Sequence, residues 1–183
     1  MVSFVDLIPS RGGKILEAAI GAAGLLLLLP LLAAGQTSDQ HRGQGYLFVG
    51  QGASSPATAH VGFGGEGFVH KGLGAGVELG YVGEWSDFSG NGLGVGSADL
   101  SYHFRPSPQH PKVEPFVSGG YTLFFLHGHT SGVNFGGGIN IWLKEHAALR
   151  LEVRDDAYGE DIHRRAPVVP QHFVTFRTGL TFR

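Results

Sequence analysis

The sequence predicts an all-β fold: one closed, antiparallel, eight-stranded, up-and-down transmembrane β-barrel. Three observations carry that prediction. Apolar residues alternate at period two through short stretches bounded by turn residues, and no stretch of the 183-residue chain outside its N-terminal part carries a helical apolar stripe. Charges within the strand cores fall on the face opposite the aliphatic residues. An apolar run near the N-terminus has the layout of an export signal.

Composition narrows the function classes. The 31 glycines are more than twice the usual share, and charged residues, at 15%, are scarce for a soluble domain. A formal net charge of -2 offers no basic field to nucleic acid, so no nucleic-acid partner is expected. The chain holds no Cys, which excludes a disulfide framework and a thiolate metal site.

Arg11 and Lys14 precede an apolar run over 18–35 that ends in the small residues Ala33 and Gly35. That order predicts a signal peptide over 1–35, cut after Gly35. Eighteen residues could also anchor in a membrane, but Pro30 within the run and the polar sequence after it favour cleavage. With no cysteine after the cut, a lipoprotein signal is not expected. A short polar segment, 36–43, then leads into a barrel domain over 44–183.

Alternation places strands near 44–51, 59–70, 72–82, 94–104, 113–126, 133–143, 148–155 and 172–183. In GLGAGVELGY (72–81), Leu73, Ala75, Val77, Leu79 and Tyr81 share one face, and Gly74, Gly76, Glu78 and Gly80 the other. VNFGGGINIWL (133–143) repeats the pattern. The first and fifth strands are apolar on both faces and leave their orientation open. Mostly short connections (HKG, RPSPQHPK, KEHAA) alternate with longer polar ones over 83–91 and 155–171, as transmembrane barrels do.

The stretch ALRLEVRDD (148–156) decides which face is inside. Arg150, Glu152 and Arg154 alternate with Leu149, Leu151 and Val153. Glu66, Glu78, Asp99 and Arg177 likewise oppose aliphatic faces, making four acids against three bases. Such a mixture can pair across a narrow lumen, whereas an Arg or Lys facing mid-membrane hydrocarbon costs about 2–4 kcal/mol. The seven charges are therefore expected to form a lumen network. Tyr81, Trp85, Tyr102, Phe104, Phe173 and Phe182, near strand ends, are expected to form interfacial girdles. The inverted alternative is a secreted, lipocalin-like ligand carrier, but its wet face would be mostly glycine.

Residues 98–121, ADLSYHFRPSPQHPKVEPFVSGGY, resemble the small outer-membrane β-barrel proteins of the OmpA-like superfamily. The likeness rests on Tyr102, His103, Phe104, Pro115, Phe116, Val117, Gly119 and Gly120. RLEVRD (150–155) is similar to the penultimate strand of such proteins. FRTGLTFR (176–183) is similar to the terminal strand read by the barrel-assembly machinery, displaced by one residue because Arg183 follows Phe182. The resemblance implies a bacterial outer-membrane location, both termini periplasmic, and a structural or interaction role in the envelope. It also implies an inward Arg/Glu network that plugs the lumen or, by exchanging partners, gates a narrow pore. No wall-anchoring domain follows Arg183, so that role is not expected.

Other motifs have the residue types of a chemical site. HGHTSG (127–132) carries His129-x-Ser131, which resembles the His/Ser pair of outer-membrane lipid A deacylases, with Glu84 or Asp87 as the acid. That family carries the pair in a later strand with a following Asn; here Gly132 follows, and a polar turn is the plainer reading. His127 with His129, or His60, His70 and His103 together, could reach one metal ion, but sequence shows no convergence. GFGGEG (62–67) matches a dinucleotide pattern but lies in a strand with no helix after it. No enzyme activity, cofactor or metal is therefore expected. The expected partners are outer-membrane lipid and lipopolysaccharide, with an extracellular partner at loops 83–91 and 155–171; Arg164 and Arg165 could meet lipopolysaccharide phosphates, although a solvated loop is the plainer reading.

Overall fold

A computed structural model describes residues 43–53, 57–70, 72–88, 92–125, 130–160 and 169–183. They form β1 (Gly43–Gly52), β2 (Thr58–His70), β3 (Leu73–Glu84), β4 (Leu93–His103), β5 (Val113–Phe125), β6 (Thr130–Lys144), β7 (Ala147–Glu160) and β8 (Val169–Phe182). Each strand pairs antiparallel with the next, and β8 returns to β1, closing the barrel. Closure matters because a sheet edge in lipid would leave its backbone groups without partners. Residues 1–35, where a signal peptide is expected, and the polar residues 36–42 lie outside the described residues.

The alternation seen in the sequence is the wall of this barrel. Leu47, Val49, Phe63, Leu100, Val133, Phe135 and Leu180 stand exposed on the outside. Glu66, Glu78, Glu152, Arg150, Arg154 and Arg177 are buried within. The arrangement is the reverse of a lipocalin-like carrier. The two strands whose faces were open also resolve: Tyr46, Phe48, Phe116 and Phe124 point inward, while Leu47, Val49, Val117 and Tyr121 point out.

Several boundaries differ from those expected. Residues 155–160 continue β7 and 169–171 begin β8, so the connection between them is 161–168 rather than 155–171. The strand persists because Asp156 keeps the inward register of Arg150, Glu152 and Arg154, and takes a hydrogen bond from Thr122 Oγ1 at 2.7 Å. Gly83 and Glu84 likewise belong to β3. The β2–β3 turn is tight: Gly72 has φ 92° and its carbonyl accepts from the His103 amide at 2.8 Å. A Cβ there would meet the His103 carbonyl oxygen at 2.3 Å, so only glycine fits.

Candidate functional site

The lumen is filled in three storeys, each set by which inward positions share a height on neighbouring strands. At the end holding the described chain terminus, Glu66 on β2 is the hub. It accepts from Gln44 Nε2 at 2.5 Å and from the Ser101 hydroxyl, and its Oε1 is 3.1 Å from His103 Nε2. The other His103 ring nitrogen, Nδ1, is 2.8 Å from Glu114 Oε1. Carboxylates only accept, so both contacts are hydrogen bonds when the ring carries a proton on each nitrogen. Glu114 also accepts from Trp142 Nε1 at 3.2 Å. Arg183 stacks over the Trp142 ring at 3.6 Å and donates from Nε to the Glu145 carbonyl at 3.0 Å. The C-terminal arginine thus lies against the barrel mouth.

The middle storey is ionic. Arg177 Nη1 meets Glu78 Oε1 at 2.9 Å, and Arg154 Nη2 meets Asp99 Oδ1 at 2.9 Å. Arg154 also stands within 4.0 Å of Glu78, Glu152 and Asp156. Arg150 donates from Nε to Glu152 Oε2 at 3.0 Å and sits between the rings of Tyr46 and Phe116, at 4.4 and 3.9 Å from their centroids. Buried His60 faces Arg177 Nη2 through Nδ1 at 3.1 Å. A guanidinium only donates, so Nδ1 is the acceptor and the ring proton sits on Nε2. That edge points toward Gly80, where a Cβ would lie 2.7 Å from Nε2.

The loop-end storey is apolar. Val82, Leu93, Val95, Phe124 and Phe173 form one buried cluster, with Tyr158 packed against it. Phe173 was expected in an outer girdle; it shares the inward register of Thr175 and Arg177 and caps the lumen instead. Trp85, Tyr102, Phe104 and Phe182 are exposed near strand ends.

All seven charges singled out in the sequence face the lumen, and the contacts above engage each of them. Glu114 and Asp156 were missed, as were the roles of His60 and His103. Asp156 had the right parity but lay past the expected end of its strand; Glu114 sits on a strand whose two faces are both apolar. Among the described residues, these contacts bring six carboxylates against three guanidinium groups, with His103 between two of the acids. Asp155, on the outward face of β7, pairs with His172 Nδ1 at 2.7 Å.

Among the described residues, the remaining chemical candidates do not assemble. His60 and His103 occupy different storeys with other partners, and His70 is exposed. Among the described residues no three His, Asp or Glu side chains group as metal ligands. Ser131 is exposed at the start of β6; His127, His129, Arg164 and Arg165 lie outside the described residues.

The barrel superposes on the N-terminal β-barrel domain of Pseudomonas aeruginosa OprF with a TM-score of 0.54 at 14% identity, covering 76% of this chain and 96% of that one. Neisserial surface protein A gives 0.54 at 15% identity, covering 76% and 94%. The fold is that of the small outer-membrane β-barrels. A de novo designed transmembrane β-barrel matches as well, with a TM-score of 0.51 at 18% identity, covering 79% of this chain and 98% of the design. No protein-family model matches the chain, and no curated protein matches it. A small outer-membrane barrel can thus be natural or invented, and its fold selects no activity.

Proposed function

We propose that this outer-membrane barrel serves the cell envelope as a closed structural and interaction element, its lumen sealed rather than conducting. The filled interior carries this reading: an ionic middle storey lies beneath an apolar cap, and an eight-stranded barrel is only about wide enough for its own side chains. Contacts with outside partners then fall to the loop end, at 85–92 and 161–168, and the C-terminal strand engages the assembly machinery. Lipopolysaccharide phosphates are the partner proposed for Arg164 and Arg165.

Planar-bilayer recording of the refolded barrel tests the seal. Silence at moderate voltage is expected, and steady open-channel current in the unmodified protein would overturn it. A second reading, a gated narrow pore, draws on Arg154, which stands within 4.0 Å of Glu78, Asp99, Glu152 and Asp156 and could exchange partners. Brief, voltage-dependent openings altered by Asp99→Asn would favour that reading.

A further inference from the structure

Outside the lumen, the described residues carry Lys and Arg only at the terminus end of the barrel: Arg105, Lys112, Lys144 and Arg183. The loop end shows Glu84 and Asp87 instead. Arg105 and Lys112 stand at the two bases of the β4–β5 turn, which contains Pro106, Pro108 and Pro111 and is folded by bonds of its own. The His110 amide donates to the Ser107 carbonyl at 2.9 Å, and the Val113 amide to the His110 carbonyl at 3.1 Å. The Lys112 carbonyl in turn accepts from the Trp142 amide at 2.8 Å. That bond sets Lys112 beside the end of β6, where Lys144 lies two residues on. Arg183 stacks on the same tryptophan. The four cations thus follow one arc of the rim, from β4 to β8.

The arc is short of anions. Glu145 is exposed beside it, and Glu114 inside the mouth is 4.0 Å from Arg183 Nη1. Among the described residues no ion pair engages Arg105, Lys112 or Lys144. Arg183 turns in over the mouth, so these three are the charges left to an outside partner. The wall sets their height. Arg105 follows Phe104 and Lys144 follows Leu143, both exposed on the outside. One residue of strand rises about 3.4 Å, so each charge leaves the apolar wall where hydrocarbon gives way to headgroups. Long basic side chains reach that level with their stems on the wall.

We propose that this basic arc holds an anionic phospholipid, of the phosphatidylglycerol kind, in the leaflet at the terminus end. Its phosphate accepts from Arg105, Lys112 or Lys144, and its acyl chains lie against Phe104, Leu143 and the wall around them. A zwitterionic headgroup brings an ammonium that the arc repels. A soluble acidic partner would meet the same charges, but headgroups are the anions nearest to side chains rooted in the wall. At such a surface each Lys or Arg favours anionic lipid by about fivefold. The inference goes beyond the proposed envelope role and rests only on the barrel spanning a membrane.

The test is native mass spectrometry of the barrel in neutral detergent, titrated with phosphatidylglycerol or phosphatidylcholine of identical chains. In about 0.1 M ammonium acetate the first phosphatidylglycerol is expected to bind about fivefold more tightly than the first phosphatidylcholine. At about 1 M, where the screening length falls from about 10 Å to about 3 Å, the preference should fade. Arg105→Gln, Lys112→Gln and Lys144→Gln together should erase it at the lower salt. Lys112→Gln with Lys144→Gln should lower it, so the site is tested even if the triple variant misfolds. No preference in the unmodified barrel, or an unchanged preference in both variants, would overturn the site. Equal lipid binding, together with capture of the unmodified barrel but not the variants on immobilised polyglutamate, would give the arc to a soluble acidic partner instead. The same samples run unboiled and boiled on a detergent gel separate the two failures. A heat-dependent shift without lipid preference sinks the lipid site alone, whereas a missing shift sinks the membrane barrel beneath it.

Discussion

Arg177 and Glu78, 99 residues apart in sequence, meet at 2.9 Å across the lumen from strands that are not neighbours in the barrel. Each side chain is 1% exposed. The second Glu78 oxygen is taken up as well, by the Tyr46 hydroxyl at 3.2 Å and Arg154 at 3.7 Å. One carboxylate therefore ties β1, β7 and β8 to β3.

Removing one member of such a pair leaves the other charge buried without compensation. Arg177→Met is expected to destabilise the folded barrel by about 3–5 kcal/mol, and Glu78→Gln by a similar amount, because it removes the closest carboxylate of Arg177 while Arg154 keeps Asp99. The double variant Glu78→Met with Arg177→Met should recover part of that loss. Urea titration in detergent, read by the fraction migrating as folded protein on an unheated gel, measures all three. Single variants within 1 kcal/mol of the parent would mean that the lumen admits enough water to screen the pair.

Phe173 and Phe176 provide a test of which side is in. They lie three residues apart on β8, Phe173 in the apolar cap at 3% exposure and Phe176 on the outer wall at 59%. Phe173→Ala should cost about 3–5 kcal/mol through the cavity it leaves. Phe176→Ala removes a side chain that detergent or lipid already wets and should cost much less. The opposite ranking in the same urea titration would turn the barrel inside out.

The outer wall makes a second, membrane-specific prediction. Leu151 faces outward between the buried Arg150 and Glu152. Leu151→Arg should reduce stability in phospholipid vesicles by about 2–4 kcal/mol if that position is near the bilayer midplane. In a short-chain detergent micelle, where water reaches the wall more easily, the penalty should shrink. Equal penalties in both media would argue that β7 does not cross hydrocarbon at Leu151.

Much of this was legible because a strand has only two faces. Period-two alternation fixed the number of strands, their order, and the inward direction of Arg150, Glu152 and Arg154. What was not legible follows from the same rule. Where both faces are apolar, as around Tyr46, Phe48 and Phe116, parity alone names no side, and Glu114 went unnoticed with them. Strand ends are set by tertiary partners: the Thr122 hydroxyl holding Asp156 lies 34 residues away in sequence. Phe173 was misplaced by proximity to a strand end, although its parity with Arg177 already pointed inward. Which acid meets which arginine depends on heights around a closed wall, and a linear pattern does not carry them.

His103 gives the most local test of the terminus-end storey. Its ring spans Glu66 on β2 and Glu114 on β5, at 3.1 and 2.8 Å, so it joins two strands that share no backbone ladder. Glutamine at this position can reach one carboxylate but is not shaped to bridge both, and His103→Gln should cost about 1–3 kcal/mol. The bridge itself is isolated by a double-variant cycle with Glu114→Gln, for which a coupling of about 0.5–3 kcal/mol is expected. Trp142 and Asn140 also donate to Glu114, at 3.2 and 3.4 Å, so Glu114→Gln alone mixes several losses, and only the cycle separates the histidine's share. Strict additivity of the two substitutions would show that His103 fills space at the mouth without linking the acids, and the closure of that end would then fall to the Arg183–Trp142 stack.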